Sequence, residues 1–310
     1  MRLPFIVALT LLAAAPPVVA QQPFTIGVPI TNPNQGAPAA SSDGLAINES
    51  AVSIIDSALP RNTLRVRLDL GYNDPRPTRA EYFMGAGGLP VPEPRIQSYQ
   101  DASVYAEFAA LSFFSVFVEA PMRWLNPDVN QNTSGYSDMN LGFKLCTWNS
   151  AEMLATIQVR LYEPTAQRSS LGTDHWTFEP ALLASWLPYD AVLVEGEARY
   201  WMPLGGSDFA GNIFRYGLGV SVGQANPGGF WFKPVLEAVG WSVLGGKSMV
   251  VTSPDSVIIQ NANGQTIING YLGLRLGVGT SLDFYAGYGR CFTGSSWSRD
   301  FVRVELRLFY

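Results

Sequence analysis

The last stretch of the chain, Phe301-Val-Arg-Val-Glu-Leu-Arg-Leu-Phe-Tyr310, constrains its fold more than any other. Side chains alternate across a strand with period two, so Val302, Val304, Leu306, Leu308 and Tyr310 share one face, while Arg303, Glu305 and Arg307 share the other. The same pattern opens the patterned region. Leu64, Val66, Leu68, Leu70 and Tyr72 face one way, and Arg65, Arg67 and Asp69 the other. A barrel closes by pairing its first strand with its last, so two such strands are expected neighbours. One amphipathic strand alone would also suit a soluble sandwich, and the rest of the chain has to choose between the two.

Composition favours the membrane. Of the 310 residues 15% are charged, against about 25% in an average soluble domain, while 12% are aromatic and 30 are glycine, which suits an all-β chain. Beyond Ala20 no apolar run is long enough for a spanning helix. The remaining structure that satisfies its own backbone in lipid is a closed barrel. A net charge of −5 argues against a nucleic-acid partner.

Three segments are expected. Residues 1–20 read as a signal peptide: Arg2 supplies the positive charge, Leu3 to Ala15 a short apolar core broken by Pro16-Pro17, and Val18-Val19-Ala20 a small-residue cleavage site that leaves Gln21 first. Residues 21–61, rich in Pro, Ala, Ser, Asn and Gln, read as a flexible lead-in, with a short helix or turn over Asn48–Ala58. A periplasmic tail is the expected role of this lead-in, and a partial plug the alternative. Residues 62–310 form the barrel.

After the first strand the alternation places strands near 101–108, 113–124, 137–148, 151–162, 174–187, 190–202, 212–224, 230–243, 265–278, 281–290 and 300–310, about twelve in all and each near the ~9–11 residues a tilted spanning strand needs. Long connections follow Tyr72, Trp124, Tyr162, Met202, Val243 and Arg290, and tight turns alternate with them. That asymmetry is the habit of bacterial barrels, with short turns on the periplasmic side. Trp124, Trp148, Trp176, Trp186, Trp201, Trp231 and Trp241 fall near strand ends and Trp297 in a loop, as two interfacial girdles would require. The expected fold class is therefore all-β, a single antiparallel transmembrane barrel in the outer membrane.

The final strand resembles the C-terminal signal that the barrel-assembly machinery reads, which would rest on Val304, Leu306, Leu308, Phe309 and Tyr310. Further segments resemble one family: Asn73-Asp-Pro-Arg-Pro-Thr-Arg-Ala-Glu-Tyr-Phe83, Ser115-Val-Phe-Val-Glu-Ala-Pro121, Ser137-Asp-Met-Asn-Leu-Gly-Phe-Lys144, Gly172-Thr-Asp-His-Trp176, Asp208-Phe-Ala-Gly-Asn212, Pro234-Val-Leu-Glu-Ala-Val-Gly-Trp-Ser-Val-Leu244 and Tyr288-Gly-Arg-Cys-Phe-Thr-Gly294. These are similar to outer-membrane barrels of the phenol meta-degradation-pathway transporter-like group. The resemblance covers about Asn62 to Tyr310 and implies a transporter without naming a solute.

Alternation also assigns the lumen. Arg65, Arg67, Asp69, Glu107, Glu119, Arg123, Lys144, Glu152 and Arg160 would face inward from the first half of the chain. Glu179, Glu195, Glu197, Arg199, Arg215, Lys233, Glu237, Arg275, Asp283, Arg303, Glu305 and Arg307 would do so from the second. A charge facing lipid at the midplane would cost roughly 2–4 kcal/mol. The balanced signs suit either a rigid ion-pair network or a charge-lined passage. Inward glycines (Gly217, Gly219, Gly223, Gly273, Gly277, Gly287, Gly289) suggest a hollow along one wall near Tyr271 and Tyr285, or simply close strand approach. The expected function is passage of small solutes through a narrow lumen. A closed structural barrel and a barrel hydrolase are the rivals.

The hydrolase reading needs a serine within reach of His175. Ser169 and Ser170 are near in sequence without a nucleophile motif, and His175 is expected to be an ordinary rim residue. Asp74, Asp128, Asp138 and Asp208 fall in outer loops, where solvated charge is expected rather than a protease pair or a calcium site. No cofactor or metal is expected. The partners expected are outer-membrane lipid, the barrel-assembly machinery and a small solute. Cys146 and Cys291 belong to opposite rims, too far apart for a disulfide.

Overall fold

The computed structural model describes residues 47–74, 95–253, 256–293 and 298–310. The expected signal peptide, the lead-in up to residue 46, most of the Asn73–Phe83 segment, and Trp297 lie outside them. Fifteen strands follow in order: β1 (Thr63–Asp74), β2 (Ile96–Leu111), β3 (Phe114–Pro127), β4 (Thr133–Tyr136), β5 (Asn140–Asn149), β6 (Met153–Tyr162), β7 (Trp176–Tyr189), β8 (Val192–Leu204), β9 (Ile213–Val222), β10 (Phe230–Val243), β11 (Lys247–Ser253), β12 (Ser256–Asn261), β13 (Thr266–Val278), β14 (Leu282–Cys291) and β15 (Asp300–Phe309).

Twelve of these close an antiparallel barrel. β1 pairs on one side with β2 and on the other with β15, from Thr63 opposite Phe309 to Tyr72 opposite Asp300. β4 extends the sheet beside the upper part of β3, and β11 and β12 form a separate hairpin in the connection after β10. Two expectations need correction. The strand placed at 137–148 is β5 and starts only at Asn140, with the separate short β4 before it, and the strand placed at 101–108 begins at Ile96. The earlier start of β2 follows from buried Tyr99, which continues the alternation past Asp101, and from buried Ile96, which lies beyond a shift of register between Ile96 and Ser98.

The two faces of the wall have opposite chemistry. Outward positions such as Val66, Val104, Leu182, Leu218, Leu236, Leu272 and Leu306 are exposed apolar side chains, whereas the intervening inward positions are buried and largely charged. In water that exterior would be an apolar patch far larger than a soluble protein tolerates, and a bilayer is the solvent it fits. Among the described tryptophans the girdle reading holds for Trp148, Trp176 and Trp186, which are exposed. It fails for Trp201 and Trp241, which are buried on inward positions, and for Trp231, whose indole N–H donates to the Gly279 carbonyl at 2.8 Å. Outward Tyr189, Phe230, Tyr288 and Tyr310 supply further exposed aromatic residues near strand ends.

Candidate functional site: an occupied lumen

Register across three neighbouring strands builds the lumen's most specific feature. Glu195 of β8, Gly219 of β9 and Glu237 of β10 stand opposite one another in one row. The Glu195 carboxylate accepts the backbone N–H groups of Ala51 (3.0 Å) and Val52 (3.2 Å). Glu237 accepts those of Ser53 (3.1 Å), Ile54 (2.9 Å) and Ile55 (3.0 Å). Between the two carboxylates, Gly219 leaves the space that Val52 fills: a Cβ there would lie 2.4 Å from Val52 Cγ1. In the next row, Glu197 accepts the Asp56 N–H at 3.0 Å, and a Cβ on Gly217 would lie 2.4 Å from Ile55 Cγ2. In the third, Arg199 stands beside Arg215, and Arg215 beside Trp241.

The arginines meet the carbonyls of the same segment. Arg215 donates to Ile54 (2.6 Å), Arg303 to Ser53 (2.5 Å), Arg275 to Ala51 (2.7 Å) and Val52 (2.8 Å), and Arg307 to Ser50 (2.6 Å). Thr156 donates to the Ala58 carbonyl at 2.5 Å, and the Arg61 N–H to Glu107 at 3.2 Å. Hydrogen bonds to charged groups are worth about 1.5–3 kcal/mol each, so main-chain recognition here is strong without demanding particular side chains. Two side chains of the segment are also recognised: Glu49 pairs with Lys233 at 2.5 Å, and Asp56 accepts from Arg160 (2.7 Å), Arg199 (2.9 Å) and Gln158 (3.0 Å). Burial alone would raise the Asp56 carboxyl, but Arg160 and Arg199 outweigh it and hold the group well below the usual carboxylate range.

Residues 47–61 therefore lie against the inner face of the wall. They lie inside the barrel as extended and irregular chain with bends, and of the short helix or turn expected over 48–58 no helix forms. The cause is the row of inward carboxylates and guanidiniums, which satisfies backbone groups that a helix would pair internally. The segment lies between two cavities. One, of about 190 Å³, opens towards the long connections and is lined by Ile54, Asp56, Arg67, Tyr99, Trp201 and Trp241 among others. A smaller one, of about 40 Å³, lies towards the short turns beside Ser50, Val52, Ile55, Arg65 and Phe309. Asp56 borders both.

The wall charges pair around this segment. Arg303 holds Asp69 with two bonds (2.6 and 2.7 Å), and Arg307 holds Asp283 (2.9 and 2.7 Å). Arg275 bridges Asp283 (2.6 Å) and Glu305 (2.8 Å), and Arg199 joins Glu179 (2.7 Å) and Glu197. Arg65 and Arg67 share Glu119 at 3.4 and 3.0 Å, and Lys144 meets Glu107 at 2.9 Å. Arg123 takes Asp101, an inward charge beyond those expected. Glu152 departs from the expected list: it lies in the turn between β5 and β6 and is exposed.

The hollow expected along the glycine wall is filled. Tyr285 lies over Gly273 and Gly287, Tyr271 over Gly289 and Trp231 over Gly277, and the segment itself covers Gly217 and Gly219. The outer-loop aspartates are engaged separately: Asp128 with Arg95 (2.6 Å), Asp208 with Lys247 (2.6 Å), and Asp138 with the N–H groups of Thr173 (2.7 Å) and Ala166 (3.2 Å). Asp74 ends β1 and is buried. His175 is buried rather than solvated at the rim, and Ser169 and Ser170 start a single 3-10 turn. Cys146 lies near the β5–β6 turn and donates to the Trp148 carbonyl, while Cys291 ends β14 at the opposite rim.

No model of a protein family matches the sequence, and no curated protein matches it. Solved structures do. The COG4313 outer membrane channel from Pseudomonas putida F1 is 12% identical, with 84% of this chain and 100% of that chain covered at a TM-score of 0.55. The NanC porin is 10% identical over 80% of this chain and 99% of its own, with a TM-score of 0.49. The KdgM porin is 9% identical over 80% and 99%, with a TM-score of 0.45. At these identities the likeness is one of fold.

Proposed function

We propose that this chain is an outer-membrane barrel through which small solutes pass, and that residues 47–59 are the movable element that closes it. One observation carries the reading: the obstruction is a length of main chain lying between two cavities and held by noncovalent bonds, not a core of interlocked wall side chains. On this reading the short turns face the periplasm, the exterior meets outer-membrane lipid, and Val304, Leu306, Leu308, Phe309 and Tyr310 present the assembly signal to the barrel-assembly machinery. Membership of the phenol meta-degradation transporter-like group, a cleaved signal peptide and a narrow charge-lined lumen belong to the same proposal.

The test is solute uptake by liposomes that carry refolded protein. Glu195→Gln/Glu237→Gln keeps side-chain volume but removes the two charges that hold residues 51–55, so swelling in small solutes should rise several-fold over the wild type. Equal swelling by the two proteins would reject the segment as the closing element. A permanently closed structural barrel is the second reading. The bidentate Arg303–Asp69 and Arg307–Asp283 pairs favour it, since each locks neighbouring strands together. An aspartyl hydrolase is disfavoured, because Asp128, Asp138 and Asp208 are each committed to different partners.

A further inference from the structure

Asp56, like Glu49, is held through its side chain, and it is the one of the two that meets several wall donors. Its neighbours are bound through their main chain, but Asp56 puts a carboxylate oxygen among three wall donors: Gln158 and Arg160 of β6, and Arg199 of β8. The two guanidiniums also have partners on the wall. Glu179 of β7 stands between the two strands, opposite Arg160 in register, and accepts from Arg199 at 2.7 Å and from the Tyr162 hydroxyl at 3.1 Å. Arg199 is also fixed by Glu197, and Arg215 lies 3.0 Å from the other oxygen of Glu197.

The local charge is unbalanced without Asp56. Besides Asp56, the ion-pair partners of Arg160, Arg199 and Arg215 among the described residues are Glu179 and Glu197, and the nearby Glu119 is already shared by Arg65 and Arg67, so withdrawing the aspartate would leave buried positive charge under-compensated, which is unfavourable. An anion must take its place if the segment leaves. The donor set specifies its chemistry: a guanidinium pair with an adjacent carboxamide suits a planar carboxylate. The site can also be reached, because Asp56 and Arg160 both border the 190 Å³ cavity on the long-connection side.

We infer that Gln158, Arg160 and Arg199 form a binding site for the carboxylate of a small organic acid, that Asp56 occupies this site as an internal stand-in, and that an acid arriving from the long-connection cavity displaces Asp56 and unseats the segment. This deepens the passage reading and rests on it. Because Asp56 is tethered, its effective concentration is of millimolar order, and a simple acid competes only at comparable or higher concentrations.

Butyrate is a suitable probe, with butyramide as its uncharged counterpart and chloride at equal ionic strength as a control. The readout is hydrogen exchange at the amides of residues 51–56 in refolded protein in detergent. Butyrate at tens of millimolar should speed exchange by about tenfold over butyramide or chloride. Arg160→Gln should abolish that difference. Asp56→Asn, which alters the segment and not the wall, should bind butyrate about tenfold more tightly than the wild type by calorimetry, since the internal competitor is gone. Heat-modifiable migration establishes that each variant is folded; should Arg160→Gln fail to fold, the wild-type and Asp56→Asn measurements decide. Equal effects of butyrate and butyramide, or equal butyrate affinity of wild type and Asp56→Asn, would overturn the inference. None of these readouts depends on flux. Carboxylate binding without any solute passage would sink the passage reading alone, and passage without a carboxylate effect would sink the site alone.

Discussion

At Gly219 and Gly217 the missing side chain is what admits the segment. Neither glycine has a positive φ, so an alanine at Gly219 is compatible with the backbone, but its Cβ would stand 2.4 Å from Val52 Cγ1. Gly219→Ala should therefore loosen residues 51–55, seen as faster amide exchange, while the barrel melts at the wild-type temperature. Gly289→Ala is the contrasting case. Its Cβ would meet the Tyr271 ring at 2.1 Å within the wall itself, and overpacking of that kind costs typically about 1–3 kcal/mol. Its melting temperature should fall, with exchange at 51–55 unchanged. Reversed outcomes would mean that the glycines serve strand geometry and not the segment. Alternation points most wall charges inward, because a charge on the lipid face is so costly, but it misplaces Glu152, which is exposed in a turn, and misses Asp101. The partners of the wall charges were not legible: Glu195, Gly219 and Glu237 become one row only through strand register, and Asp56 lies in a stretch with no period for alternation to detect.

Most strands were legible for the same reason as the charges, since a barrel wall with lipid outside and charges inside imposes period two on nearly every strand. β4 is too short to show a period, and the β11–β12 hairpin includes the runs Met249-Val250-Val251 and Val257-Ile258-Ile259, which have no alternation. Of all the elements β15 carries the most consequence. It closes the barrel against β1 and also pairs with β14. Its end is tied further: the Arg61 guanidinium stacks 3.7 Å from the centroid of the Phe309 ring, and the Tyr310 hydroxyl donates to the Glu107 carbonyl at 3.3 Å. Removing Phe309 and Tyr310 should leave a processed but unfolded periplasmic protein. Normal heat-modifiable migration of the truncated chain on a gel would show that neither closure nor assembly needs them.

Taken whole, the molecule sits between two known regimes. Barrels of about eight strands are filled by their own side chains, and those of about 16–18 strands hold open water channels. With twelve strands, this barrel encloses more space than the wall side chains fill, and residues 47–59 occupy the remainder between the two cavities. Bidentate pairs such as Arg303–Asp69 keep the wall rigid, while the segment is held by bonds that can be exchanged for water or ligand. Removing the segment would also take away Glu49 and Asp56, leaving Lys233, Arg160 and Arg199 with fewer counter-charges and the lumen more attractive to anions.

Single-channel recording in planar bilayers, comparing the intact protein with a chain lacking residues 21–59, tests whether the segment is what closes the lumen. The intact protein should give a small, intermittent conductance with weak selectivity. The shortened chain, shown to be folded by heat-modifiable migration, should give a larger, steady current that prefers anions. A shortened chain that stays silent, or an intact protein that already conducts as much and as steadily, would contradict the assignment of residues 47–59 as the closing element.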